Sequence, residues 1–372
     1  MSRVAVRPVR SRKDLAEFVR FPYRKYHGHP FWVPPPLMDR KALLNRDRHP
    51  FYLKAEAEFF LAEGPGGTRG CVAAIHNHAH EEYHGDKSGF FGFFETDDHP
   101  DTAAALLDAA ANWCAARGLV RIQGPMNPST NYECALLVDG FDRPPVLMMP
   151  YNPPCYADHV EAAGFDKARD LLAYNLEAKD MPMERIRHLA DRVESKENVR
   201  NRPIRMNKLD EELERVFAVY NDAWSRNWGF VPMSREELSA MAESLKWVCD
   251  PRIIFITERE GEAVGFIFAM PDLNRIFKDL GGRLLPFGWV RLLAGRRRVG
   301  FMRVLAMGLR KDYQNLGYTA LLYRDIVRYG GEAGYPHGEI GWVLEDNVMM
   351  NRAAVMLGAR VSKRYRIYAR NL

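Results

Sequence analysis

No Cys-x-x-Cys pair occurs among the five cysteines, Cys71, Cys114, Cys134, Cys155 and Cys249, which are widely scattered. That spacing argues against a zinc site or a disulfide framework and suits a reducing compartment. There is no apolar run long enough to span a bilayer. The opening segment SRVAVRPVRSRKDLAEF has no apolar core of the kind a secretory signal needs. No serine or cysteine sits in a nucleophile motif. These absences point to a globular cytoplasmic protein. What is abundant supports this: 47% of the 372 residues are hydrophobic and 27% charged, a balance that builds cores rather than disordered chain. The length exceeds one ordinary core and predicts two domains.

Charge is unevenly spread. From Arg275 to Arg303 there are eight Lys/Arg and one Asp, a net +7 in a chain whose total is +5, so the remainder carries −2. The same segment, Asn274 to Gly300, interleaves Ile276, Phe277, Leu280, Leu284, Leu285, Phe287, Trp289, Val290, Leu292 and Leu293. A cationic amphipathic stretch with Trp and Phe suits an anionic membrane surface. No nucleic-acid recognition motif accompanies it. Two other readings compete: apolar residues capping a core, and Arg296–Arg298 binding a phosphate.

Order of elements repeats along the chain. The first copy reads as a strand at Val4–Val9, a helix near Asp14–Tyr26, and a hairpin, Glu58–Glu63 and Cys71–His76, turning at Gly64-Pro65-Gly66-Gly67. A strand Gly89–Glu95, a helix Asp101–Arg117, a strand Leu119–Gln123, a helix ending at Gly164 and a strand Phe165–Leu176 follow. The second reads as a strand Pro203–Leu209, helices Glu211–Ser225 and Ser234–Trp247, and a hairpin from Arg252 to Met270. After the basic insertion come a strand Val304–Leu309, a helix with Leu321, Leu322, Ile326, Val327 and Tyr329 on one face, a strand Gly338–Leu344, a helix to Gly358 and a strand Ala359–Tyr368. The expected domains are 1–178, a linker at 179–202 containing a helix from Met183, and 203–372 with the insertion at 274–300.

Between strand and helix in the second copy stands Gln314-Asn315-Leu316-Gly317-Tyr318-Thr319. A loop running from a strand end into a helix N-terminus aims backbone N–H groups and the helix dipole at an anion, usually phosphate. Gln314-x-x-Gly317-x-Thr319 resembles the Q/R-x-x-G-x-G/A loop of the GNAT acyltransferases, with Thr319 in place of Gly or Ala. The spacing of Asn347 to Gly358 and the closing strand agree with that family. The resemblance implies an α/β (α+β) fold of two tandem GNAT-like domains, each a mixed, mostly antiparallel twisted sheet flanked by helices. It implies that the loop, with Asn315, Gly317, Tyr318, Thr319 and Asn347, holds the coenzyme A of an acyl-CoA co-substrate. It also implies that the preceding strand, near Met307 and Gly308, splays open to receive the thioester. In the first copy Thr96-Asp97-Asp98-His99-Pro100 replaces the loop, and its acidic side chains would repel a pyrophosphate. Only the C-terminal copy is expected to bind acyl-CoA, leaving the first for structure and substrate recognition.

Acyl transfer to an amine needs a base and help for the leaving thiolate. Glu345, at the end of the strand Gly338–Leu344, is the candidate base; Glu339 within that strand reads more simply as structural. The family's thiolate-protonating Tyr falls at Ala354, so the acid is missing or supplied elsewhere, with Tyr313, Tyr318 and Tyr323 nearby. Trp224, Asn227 and Trp228 follow the first helix of the domain and are expected beside the acceptor. His76, His78, His80 and His84 cluster in IHNHAHEEYHGD. Alternation would put the first three on one strand face; their spacing predicts no metal, and His80 and His84 are further base candidates.

A narrower resemblance lies in G-P-x-N-x-S-x-N-x-E (Gly124–Glu133, with Asn131 and Glu133), L-L-V-D-G-F-D-x-P-P, M-P-Y-N-P-P, FFGFFE and WVLEDN. These are similar to the group containing bacterial ceramide synthases and cover nearly the whole chain. The group implies acylation of a long-chain sphingoid base, 3-oxosphinganine or sphinganine. Asn131 and Glu133, in a loop rich in Pro, Gly and Asn, and Phe287 and Trp289, in the insertion expected to shelter an acyl chain or sphingoid tail, are the candidate substrate contacts. The cationic amphipathic insertion adds the expectation of peripheral contact with the inner face of the cell membrane. The alternatives are an acetyltransferase of a small amine or peptide, and a non-catalytic acyl-CoA or lipid-binding protein.

Overall fold

A computed structural model describes residues 4–284 and 286–372. Its first half runs β1 (Ala5–Pro8), α1 (Arg12–Lys25), α2 (Leu37–Leu43), β2 (Ala55–Gly64), β3 (Gly67–Asn77), α3 (His78–His84), β4 (Ser88–Thr96), α4 (Pro100–Ala115), β5 (Arg121–Gly124), β6 (Met126–Asn127), β7 (Glu133–Cys134), β8 (Leu136–Asp139), α5 (Cys155–Ala162) and β9 (Asp166–Glu177). The second runs α6 (Met183–Glu197), β10 (Val199–Pro203), α7 (Leu209–Trp224), α8 (Arg235–Leu245), β11 (Ile254–Arg259), β12 (Glu262–Pro271), α9 (Asn274–Leu280), α10 (Gly288–Gly295), β13 (Phe301–Leu309), α11 (Thr319–Glu332), β14 (His337–Leu344), α12 (Val348–Met356) and β15 (Arg360–Asn371). Among the described residues no helix is long and apolar enough to cross a membrane.

Two compact units emerge, and they are not sequential. Unit 1 is the chain up to Leu171 with Phe277–Leu284 and Lys363–Leu372; unit 2 is Leu172–Ile276 with the stretch from after Leu284 to Ser362. A boundary at 178 and 203 therefore misses an exchange of strand ends. The end of β9 lies in unit 2 and the end of β15 in unit 1, where Tyr368–Asn371 pairs antiparallel with Arg121–Gly124 of β5. The expected linker is not a tether either: α6 packs Ala190 and Val193 into the unit 2 core beside Leu321 and Leu322 of α11. The strand expected over 203–209 lies earlier, at β10.

In unit 1 the sheet order is β1–β2–β3–β4–β5–β15. Serine caps the first helix: Ser11 Oγ accepts from the Asp14 N–H, and the Asp14 carboxylate accepts from the Ser11 N–H, satisfying donors that a helix start leaves open. The glycine turn closes the β2–β3 hairpin, with Gly66 and Gly67 at φ +108° and +111°, where a side chain would be strained. A core of Leu106, Leu107, Ala110, Phe91, Ile122 and Tyr156 fills the face under α4 and α5.

In unit 2 the order is β9–β14–β13–β12–β11–β10. The strands pair antiparallel from β10 to β13, and β13 pairs parallel with β14. The buried face of α11, Ala320, Leu321, Leu322 and Ile326, meets Phe255, Val264 and Ile267 of β11 and β12, as its apolar periodicity requires.

Candidate active site

The parallel pairing of β13 with β14 is short. Phe301–Val304 register with His337–Ile340, and there the ladder stops. Beyond it Ala306–Leu309 stay paired to β12 on their other side, the register skipping Leu305, while Leu305–Leu309 and Gly341–Leu344 line the two walls of a cleft of about 1520 Å³. The splay is thus present, and it exposes backbone groups of β13 that a regular ladder would consume. All residues lining this cleft belong to unit 2.

At the open end of β13 the chain turns through Arg310–Tyr318 into α11. Asp222 of α7 anchors the loop by accepting from the Lys311 N–H at 2.8 Å, and Gln314 Nε2 donates back to the Leu309 carbonyl at 3.2 Å. Gly317 sits at φ +80°. Gln314, Asn315 and Thr319 line the cleft beside Met307 and Gly308. Tyr318 differs: its side chain is fully buried in the core and rests on Tyr313, ring centroids 5.8 Å apart, so only its backbone faces the loop. Asn347 lines the cleft and also caps α12, its Oδ1 accepting from the Met350 N–H at 3.1 Å.

Trp224, Asn227 and Trp228 all line the cleft. The indole of Trp224 lies directly on Gly308; a Cβ there would meet its ring at 2.4 Å. Glycine at 308 is therefore a condition for an aromatic wall, a role its backbone position alone does not suggest.

The carboxylates sort differently from expectation. Glu345 does not line the cleft, whereas Glu339 does. Glu339 registers with Arg303 one pair before the ladder ends, so it stands at the apex of the splay, 2% exposed, with the Ser362 hydroxyl 3.4 Å from Oε2. Ala354, the position where the family carries its tyrosine, is buried and lines the cleft. Three tyrosines line it instead: Tyr174, Tyr323 and Tyr335. Burial pushes the Tyr323 phenol up to about 12, which keeps its proton available as a donor. Tyr174 donates to Asn351 Oδ1 at 2.8 Å, and Asn351 Nδ2 in turn donates to the Leu344 and Glu345 carbonyls. Asn351 thus fixes the end of β14; nothing in the sequence pattern singled it out. Arg185, Arg226, Lys311 and Arg352 supply positive charge along the lining. Arg296 instead donates to the Trp247 carbonyl at 3.0 Å, and neither Arg296 nor Arg298 is a lining residue; the Arg297 side chain lies outside the described residues.

Unit 1 has the corresponding strands but not the opening. β4 and β5 pair parallel only over Ser88–Phe90 and Arg121–Gln123. Past that point the chain's own segment fills the gap: Asn127 Oδ1 accepts from the Phe93 N–H at 2.5 Å, and a Cβ on Gly92 would meet the Met126 carbonyl oxygen at 1.6 Å. Glu133, expected to touch substrate, pairs with Arg40 at 2.9 Å, and Asn131 lies in the turn between β6 and β7. What remains is a cavity of about 100 Å³ lined by Arg40, Glu95, Asn127 and Glu133 among others. Burial raises Glu95 to about 7, against the hydrogen bonds from Tyr26 and Tyr156 that lower it. His80 and His84 lie on α3 of this unit, His80 Nε2 3.1 Å from Asp86. Phe287 and Trp289 are at the start of α10 in unit 2, 75% and 50% exposed, outside the cleft lining.

No protein-family model matches the chain. Among curated proteins it is 35% identical over 377 residues to the bacterial ceramide synthase of Caulobacter vibrioides, covering 99% of this chain and 98% of that one. It is 33% identical over 374 residues to protein YghO of Escherichia coli, covering 99% and 95%. Among solved structures, a tandem GNAT protein from the clavulanic acid biosynthesis pathway superposes with a TM-score of 0.58 at 13% identity, covering 99% of this chain and 98% of that one. That likeness carries the fold alone, and the full-length identity carries the family: this chain belongs to the family of the bacterial ceramide synthase and is an acyltransferase of tandem GNAT fold.

Proposed function

We propose that unit 2 transfers the acyl group of a long-chain acyl-CoA to the amine of a sphingoid base, 3-oxosphinganine or sphinganine, giving a ceramide-type amide. The observation that carries this reading is the splay of β13 from β14 beside the Gln314–Thr319 loop. It joins a phosphate-binding helix start to a strand edge with open backbone groups. The cleft exceeds the roughly 300–1,000 Å³ common for small-molecule pockets, and Ile186, Leu189, Val327, Met349, Met350 and Met356 make much of it apolar. Such a lining suits an aliphatic chain better than an acetyl group. The Caulobacter relative's name points to the same product class.

In this reading Arg185, Arg226, Lys311 and Arg352 balance the phosphates, and open N–H groups of β13 polarise the thioester carbonyl. Glu339, directly or through a water, takes a proton from the amine as its nitrogen attacks the carbonyl carbon. The C–S bond then breaks, and Tyr323 gives its proton to the leaving thiolate, standing in for the tyrosine that Ala354 replaces. Unit 1 takes no acyl-CoA, because residues 126–127 occupy its opening.

The test is direct. Purified protein is incubated with acyl-CoAs from acetyl to long-chain plus either base, and free thiol and amide are followed by mass spectrometry. Long-chain amide is expected; activity confined to acetyl-CoA, or coenzyme A binding without amide, would overturn the proposal in favour of a small-amine acetyltransferase or a binding protein.

Contact with an anionic membrane belongs to the same proposal. Phe287, Trp289, Val290 and Leu293 are exposed on α10, with Arg291 and Arg298 exposed beside them. An apolar side chain leaving water contributes about 1.5–3 kcal/mol when fully buried. With Phe287 75% and Trp289 50% exposed, the Phe287→Ser/Trp289→Ser variant should therefore lose roughly 25- to 500-fold in partition onto anionic vesicles, read by sedimentation. Equal binding of wild type and variant would remove α10 as the contact.

A further inference from the structure

We infer that unit 1 carries a transition-metal site, best suited to zinc, built from His76, His78 and Glu81. One ligand atom of each lies within 4.8 Å of the others. Nothing in the acyl-transfer chemistry uses these groups, and the inference is independent of the substrate proposed above.

The local fold brings them together through a change of period. Strand alternation would have set His76, His78 and His80 on one face. β3 ends at Asn77, however, and α3 starts at His78, with Asn77 Oδ1 accepting from the His80 N–H at 3.3 Å. From there the repeat is helical, so Glu81, three residues after His78, comes back beside it, while His80 turns to Asp86. His76 and His78 lie with ring centroids 4.2 Å apart, and His76 Nε2 is 2.7 Å from Glu81 Oε2. Across the ladder Glu56 is the Cα partner of His76, and its Oε1 is 3.3 Å from His78 Nε2. Glu56 also accepts from Arg117 at 3.2 Å, which leaves it as a fourth ligand in competition with water.

Two imidazoles and a carboxylate are a donor set zinc accepts, with a fourth position for water or a second carboxylate. The ligand atoms need to close by about 1 Å to reach the spacing of a tetrahedral shell built on bonds of roughly 2.0–2.2 Å. His78 is exposed and Glu81 only half-buried, so rotamer changes can supply that movement while the buried His76 stays fixed. The metal would tie β2, the end of β3 and the first turn of α3 into one unit.

The test uses the full chain, stripped with a chelator and titrated with zinc chloride at pH 7.5 against a chromophoric competitor, with thermal unfolding recorded in parallel. One high-affinity zinc per chain and a raised unfolding midpoint are expected. His76→Ala/His78→Ala should weaken uptake by about 100-fold or more, and the exposed-site variant His78→Gln by at least about tenfold, with an unfolding curve unchanged when metal is absent. Uptake that is unaltered in both variants, or that goes instead with His80→Ala/His84→Ala, would overturn the site. So would the absence of binding in the micromolar range.

Discussion

Glu339→Gln is expected to lower turnover by about 100- to 1,000-fold while leaving coenzyme A affinity within roughly twofold, the range that loss of a positioned general base produces. The argument is positional. Glu339 is the cleft carboxylate at the point where β13 and β14 part, which is where a thioester carbonyl held on β13 would meet its nucleophile. Glutamine keeps the shape and the hydrogen-bonding reach but cannot take a proton. Glu345→Gln is the comparison: its carboxylate lies off the cleft lining and its change should cost less than about threefold. A profile in which Glu345→Gln is the crippled variant and Glu339→Gln is near normal would return the base to the strand end. Because Glu339 registers with Arg303, the thermal midpoint of the variant should be measured alongside, so that a fall in turnover is not read from unfolded protein.

Gly317→Val should raise the dissociation constant for coenzyme A by about 10- to 100-fold, measured by calorimetry. At φ +80° a β-branched residue costs on the order of 1–2 kcal/mol or more, and its Cβ would meet Val193 Cγ2 at 3.3 Å. The loop must shift to relieve both, and with it the N–H groups at the start of α11. Anion binding through fixed N–H groups depends on their aim, so a displacement of the loop acts on affinity more than on folding. Gly331→Ala, in the same helix, is the control: nothing lies within 4 Å of its Cβ, so coenzyme A binding should be unchanged and the helix stabilised by about 0.5–1 kcal/mol. Unaltered affinity in Gly317→Val would remove the loop from the phosphate site.

Much of this was legible in one dimension because it is local. A strand end, a glycine and a helix face within thirty residues specify the Gln314–Thr319 loop. The acidic turn Asp97–Asp98 in the first copy already argued against phosphate there. Trp224, Asn227 and Trp228 line the cleft because a helix end fixes the residues that follow it. Local patterning failed where a neighbour distant in sequence decides. Glu339 and Glu345 are six residues apart and look alike in sequence; only the register of β14 against β13 puts the first at the apex of the splay. Tyr318 reads as a loop residue, yet its side chain completes the core under α11. Glu133 and Asn131 read as the wall of a site; Glu133 pairs with Arg40 at the edge of the small cavity that Met126 and Asn127 leave.

Sequence by itself determined that the chain repeats one order of elements, that one copy has a strand–glycine–helix loop where the other has an acidic turn, and that the cysteines are scattered. Each of these rests on composition or on contacts within a few residues. Tertiary structure alone decided where the β13–β14 ladder stops, that unit 1 closes its own opening with Asn127, that the two units exchange strand ends, and that His76 and Glu81 meet. The first three depend on hydrogen-bond partners tens to hundreds of residues apart, where pairing register moves every side chain to one face or the other; the last depends on where β3 gives way to α3.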